Sequence, residues 1–151
     1  MLTRAVTVAG QSREHGNHPF GAVLADSAGR ERLSAENTVV TGSDATGHAE
    51  TNLVRLASAG HTTSELRDLT LYTSTEPCAM CSGAIYWSGI GTVVYALAES
   101  ELYEMTGADD NNPTLVLPCR TVFAAGQRET VVHGPFAIED ARRVHAGFWR
   151  P

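Results

Sequence analysis

LTLYTSTEPCAMCSGAIYWSGIGTVVYA (residues 69–96) is the stretch on which the fold turns. Its first six residues, Leu69 to Ser74, alternate as a strand does, with Leu69, Leu71 and Thr73 on one side. Pro77 suits the first turn of a helix, because its missing N–H is not needed there, and that helix runs to about Trp87. Gly91 to Ala96 is a second buried strand. Strand, helix and strand in succession point to the α/β class, a sheet with helices on its faces.

The rest of the chain extends this pattern. Residues 2–14 are helical until His18-Pro19, Phe20 to Ala25 reads as a buried strand, Asp26 to Gly29 as a turn, and about 31–41 as a second strand, so the two make an opening hairpin. Gly42 to Gly47 is a polar loop. Ala49, Leu53, Leu56 and Ala57 recur at helical spacing from His48 to Ala59, and Gly60 ends the run. After Ala96 come a short helix near 99–105, an apolar segment at 114–117 and a last amphipathic helix over about 136–147.

The 151 residues carry 17 acids against 11 bases, every base an arginine, for a net charge of −6. That length is about one domain, 1–151, and no repeat or linker divides it. An acidic chain is poorly suited to a phosphate backbone, which argues against nucleic acid as a partner. No apolar run has the roughly 18 residues of a membrane span, and no apolar core follows Met1 to Arg4 as a signal peptide requires. The acidic run Glu99, Glu101, Glu104, Asp109 and Asp110 reads as a solvated face and loop. Three cysteines, an odd number with no export signal, fit reduced thiols and a cytoplasmic location.

Two segments carry chemistry: His48-Ala49-Glu50 and Pro77-Cys78-Ala79-Met80-Cys81. Each lies at a predicted helix N-terminus. Cys78 and Cys81 are three residues apart and so share one helical face, where the first-turn N–H groups favour thiolate. With His48 they offer one nitrogen and two sulfurs, three ligands of a tetrahedral zinc whose fourth corner decides the function. Water there makes a catalytic site. Closure by Cys119, or less readily by His15, His18 or His61, would make the chain an inert zinc-stabilised binding module. Glu50, two residues after the histidine, favours catalysis, because a carboxylate beside the metal can carry a proton.

H-x-E followed by P-C-x-x-C is the pattern of zinc-dependent nucleobase deaminases, and the chain resembles that superfamily from about Phe20 to Tyr95. Glu76 to Ile85 is the most specific part. The resemblance is to the branch of guanine deaminases, fungal-type cytosine deaminases and tRNA adenosine deaminases, with Asp44-Ala45-Thr46 in place of a common Asp-Pro-Thr. It implies a three-layer α-β-α sandwich with a central five-stranded mixed sheet, a homodimer or larger assembly, and one Zn2+ per chain. By position it assigns His48, Cys78 and Cys81 as zinc ligands and Glu50 as proton shuttle. It further implies that Asn37 hydrogen-bonds the base and that Phe20 helps wall the pocket.

The expected reaction is hydrolytic deamination of a free base of guanine or cytosine type, aminotriazines included, with tRNA adenosine deamination as the alternative. Tyr86-Trp87 and the end Gly147 to Pro151 resemble the guanine deaminase side. There Phe148 and Trp149 would either close an apolar lid over the pocket or dock the last helix. Glu139 is a candidate second acid, with Asp140 beside it; both also suit a solvated first turn.

Overall fold

In the computed structural model, residues 1–107 and 115–149 are described; Asp109, Asp110, Thr114, Arg150 and Pro151 lie outside them. The elements are α1 (Leu2–Glu14), β1 (Gly21–Ala25), β2 (Glu31–Glu36), α2 (Val39–Gly42), α3 (Ala49–Gly60), α4 (Thr63–Arg67), β3 (Thr70–Thr75), α5 (Ala79–Ser88), β4 (Thr92–Leu97), α6 (Glu99–Thr106), α7 (Cys119–Ala124), β5 (Val131–His133) and α8 (Glu139–Arg143). The strands form one sheet in the order β2-β1-β3-β4-β5. β1 is antiparallel to both β2 and β3, whereas β3, β4 and β5 run parallel. The five-stranded mixed sheet is therefore as the resemblance implied.

Both faces of the central strands are covered, so their alternation sorts side chains between two helical layers. Ala22, Leu24, Leu71, Val93 and Tyr95 pack with Leu53 and Ala57 of α3, Ile85 of α5 and Phe123 of α7. The opposite face presents Val23 to Ala5 and Val8 of α1, and Ala96 to Val6 and to Ala141 of α8. α1 lies directly on the sheet: a Cβ at Gly21 would fall against backbone atoms of Ala5 and Ala9. Among the described residues no helix is long and apolar enough to cross a membrane.

The structure corrects the sequence reading at four places. The second strand stops at Glu36 instead of 41, because Asn37 Oδ1 accepts from Val39 N at 3.0 Å and turns the chain into α2. The last helix spans only Glu139–Arg143, with turns from Val144 to Phe148 instead of a continued helix. Cys119, around which the sequence reading placed no element, opens α7 with its side chain in the core. The fifth strand is Val131–His133, a half-exposed edge segment.

The C-terminal turns are docked on the body. Arg13 Nη1 of α1 donates to the carbonyls of Val144 and Ala146 at 2.7 and 3.0 Å, and its guanidinium lies over the Phe148 ring. Trp149 is 7% exposed and packs on Phe20, His18 and a near-parallel His145 ring. Replacing Trp149 by alanine should cost about 3 kcal/mol, read from urea unfolding, because it empties a filled aromatic site.

His145 is 1% exposed; its Nδ1 accepts from Trp149 Nε1 at 3.2 Å, and Nε2 has no partner among the described residues. Burial, aided by the Arg13 charge, holds its pKa down at about 4. An unfolded histidine titrates near 6.5, so between those pH values the unfolded chain takes up a proton that the folded chain refuses. Stability should fall by up to about 3 kcal/mol as pH drops from 6.5 to 4, with no further loss from this group below that. Unfolding of wild type and His145→Phe across that range checks it; the variant should lack this part of the acid loss.

Candidate metal centre and active site

His48 and Cys78 occupy the N-cap positions of α3 and α5, where the sequence put them. The loop before α3 is fixed by its own helix: Asn52 Nδ2 donates to Glu36 O, Thr38 Oγ1 and Gly47 O. His48 Nδ1 lies 3.7 Å from Cys78 Sγ and 3.5 Å from Cys81 Sγ. The three ligand atoms are all within 4.8 Å of one another. Zn–S bonds near 2.3 Å and a Zn–N bond near 2.0–2.1 Å, at the tetrahedral angle, require ligand–ligand edges of roughly 3.5–3.8 Å. The two nitrogen–sulfur edges thus have the spacing of a tetrahedral zinc site.

Among the described residues no fourth histidine, cysteine or acid joins the group. Cys119 does not close it. That thiol is buried in the α7 core, where burial and the neighbouring Glu76 push its pKa up to about 12. His15 pairs with Glu36 at 2.9 Å, and His61 Nδ1 lies 3.2 Å from Ala57 O.

Glu50 stands in the first turn of α3 and is 5% exposed. Thr73 of β3 donates to Oε1 at 2.6 Å, and Cys81 Sγ donates to Oε2 at 3.5 Å. Burial raises the carboxyl pKa, against the lowering effect of the Thr73 bond. The two thiols titrate apart: the neighbouring Cys81 and His48 bring the Cys78 pKa down to about 4, while the proximity of Cys78, burial and Glu50 push that of Cys81 up. The cluster already stabilises one thiolate, as a metal site does.

A cavity of about 240 Å³ opens on this group, lined among others by Phe20, His48, Glu50, Cys78, Glu99 and Leu115. It lies at the C-terminal ends of β3 and β4, the end where open α/β sheets bind ligands. Asn37 is fully buried and is not among the lining residues: its N–H donates to Phe20 O at 3.1 Å, tying it to a residue that does line the cavity, and its Nδ2 has no partner among the described residues. Phe148 and Trp149 are not among the lining residues; Trp149 supports the cavity from behind Phe20.

Glu139 is elsewhere. It is exposed, paired with Arg143 at 2.8 Å, and borders a separate surface groove. Asp140 likewise pairs with Arg143, at 2.7 Å. The acids that reach the cavity besides Glu50 are Glu76, to which the sequence reading gave no role, and Glu99, which it placed on a solvated face and which instead lines the cavity, partly buried. Glu76, 8% exposed, accepts from Glu99 N at 3.2 Å and from Cys119 N at 3.0 Å. Glu99 carries a pKa raised to about 7 by burial and by the negative charges of Cys78, Glu76 and Glu50. Thr75 also lines the cavity, with its hydroxyl buried and unpartnered.

A sheet of this order, with a histidine and a cysteine pair at two helix N-termini, defines the zinc-dependent deaminase class of C–N hydrolases. Residues 1–97 match the family described as the cytidine and deoxycytidylate deaminase zinc-binding region, and the chain belongs to that family. It is 41% identical over 148 residues to a probable cytosine deaminase of Schizosaccharomyces pombe, covering 98% of this chain and 90% of that one. It is also 41% identical over 111 residues to a guanine deaminase of Bacillus subtilis, 73% of this chain and 70% of that one. Among solved structures, the guanine deaminase from Nitrosomonas europaea superposes with a TM-score of 0.79 at 25% identity, covering 95% of this chain and 80% of that one.

Proposed function

We propose that this chain hydrolyses the exocyclic amine of a free nucleobase of guanine or cytosine type and releases ammonia. The observation that carries the reading is the small cavity ending on His48, Cys78 and Glu50. Its volume of about 240 Å³ lies below the roughly 300 Å³ at which pockets for drug-sized ligands begin, and suits a single planar heterocycle.

His48, Cys78 and Cys81 would hold one zinc ion, which supplies a water acidified enough to attack at neutral pH. Glu50 takes one proton of that water and passes it to the ring nitrogen, then takes the proton left on the added oxygen and passes it to the amine, so that the C–N bond breaks as the carbonyl forms and ammonia leaves. The Thr73 hydrogen bond fixes the carboxylate, leaving Oε2 on the side of the sulfurs. Asn37, whose Oδ1 is engaged by Val39 N, turns its unpartnered Nδ2 to use as a donor for a base acceptor. Phe20 gives the ring an apolar wall, and Trp149 keeps Phe20 in place.

Deamination of tRNA is disfavoured by the net charge of −6 and by a cavity rim that includes Glu76 and Glu99. A closed structural site is disfavoured because Cys119 lies in the α7 core. We also propose residence in the cytoplasm and a homodimeric or larger assembly.

Purified, zinc-loaded protein offered guanine, cytosine, adenine, their nucleosides and aminotriazines, with ammonia as the readout, tests the reading. Release from a free base is the expected result. Release from none of them overturns it.

A further inference from the structure

Among the described residues, none donates a hydrogen bond to the Glu99 carboxylate. Glu99 lines the cavity at the first turn of α6, and its carboxylate makes no hydrogen bond or ion pair with any described residue. The other cavity acid has no such freedom: both oxygens of Glu76 are occupied, one of them by the backbone N–H of Glu99. That bond fixes the start of α6 and so the root of the Glu99 side chain. A second observation points to a ligand at the same wall. Thr75 Oγ1 is buried without a partner among the described residues, in a residue that lines the same cavity and is 2% exposed. A hydroxyl in that condition costs free energy unless something entering the cavity bonds it.

We propose that Glu99 is a specificity-determining residue that accepts the ring N–H at the position a sugar would occupy (cytosine N1–H or guanine N9–H), with Thr75 as a further polar contact, and thereby selects free bases over nucleosides. This rests on the base-deaminase reading above. The amine undergoing hydrolysis has to lie at Glu50, so it is not available to Glu99. The donor that then remains on cytosine is N1–H; guanine retains N1–H and an imidazole N–H. The sugar of a nucleoside replaces cytosine N1–H and guanine N9–H. An ionised carboxylate can only accept. It is therefore satisfied by a free base and faces carbon when that nitrogen is alkylated, and sites built around such a bond discriminate strongly against analogues that lack it.

The test compares cytosine with 1-methylcytosine, or guanine with 9-methylguanine, according to which base the protein turns over. Wild type should prefer the unmethylated base by about a hundredfold or more in kcat/KM. Glu99→Ala should raise KM for the free base by about tenfold or more, with a smaller change in kcat, and collapse the preference for it. Zinc content should not change, because Glu99 is outside the ligand group. Binding of uracil against 1-methyluracil, followed by calorimetry, reads the same contact without turnover. Glu99→Gln, which preserves side-chain volume, carries the comparison if the alanine variant does not fold. A methyl-base ratio that Glu99→Ala and Glu99→Gln leave at the wild-type value overturns the proposal alone. Absence of turnover of any base by wild type removes the reading beneath it, and the proposal with it.

Discussion

Replacing Glu50 by alanine should lower turnover by about a thousandfold or more while zinc content stays at the wild-type level. General acid–base groups contribute roughly 10²–10⁴-fold, and Glu50 is asked to move more than one proton in the cycle. Zinc should persist because Nδ1 of His48 and the two sulfurs do not depend on the carboxylate; only a Cys81 Sγ–Oε2 contact of 3.5 Å joins them. Two opposing effects act on stability. The variant removes the burden of a carboxyl buried to 5% exposure, but it strands Thr73 Oγ1, which loses its 2.6 Å acceptor. Glu50→Gln retains that acceptor and separates the two, since it should fold as wild type and still fail to turn over. Metal analysis beside ammonia release decides the matter: zinc lost in step with activity would make Glu50 a ligand instead of a proton carrier.

Chelation of zinc, or Cys81→Ala, should abolish turnover through a different loss. A ligand bound only by the folded state stabilises it by about 2.7 kcal/mol at a hundred times its Kd. For a chain of this size that corresponds to roughly 5–10 °C in Tm. Stripping zinc from wild type should therefore lower Tm by about that amount, and restoring zinc should return both Tm and activity. In Cys81→Ala the same treatment should move Tm little, because two ligands hold the ion too weakly. A wild-type Tm indifferent to chelator would contradict metal binding by this cluster.

The parts of the fold that periodicity makes legible are those buried on a fixed face. β3 and β4 are covered on both sides, and α3 presents Ala49, Leu53 and Ala57 to the core, so residue spacing reports them. The metal cluster is legible for a related reason: both of its halves are local, and each begins a helix. Where the sequence reading failed, a tertiary contact had overridden local preference. Residues 37–41 carry β-branched side chains that favour a strand, yet one hydrogen bond from Val39 N to the Asn37 side chain ends β2. α4 did have a signal that went unread, the capping box of Thr62 and Glu65. β5 had little to read, being three residues on a half-exposed edge.

The same reasoning explains the acids. Glu99 belongs to a run whose composition suggests a solvated face, and Glu101 behaves that way, paired with Arg142 at 2.9 Å. Glu99 turns inward only because β4 ends next to β3, at the mouth of the cavity. That adjacency is a property of strand order, which spacing along the chain does not encode. Glu139 fails for the mirror-image reason: it is acidic and near the C-terminal aromatics in sequence, but α8 directs it to Arg143.

Glu76 anchors two chain positions, Glu99 and Cys119, to the loop that bears Cys78. One buried carboxylate therefore ties the start of α6 and the start of α7 to the end of β3, where the cavity opens. Loss of the Glu76 side chain would release both helix starts at once, and with them the root of Glu99.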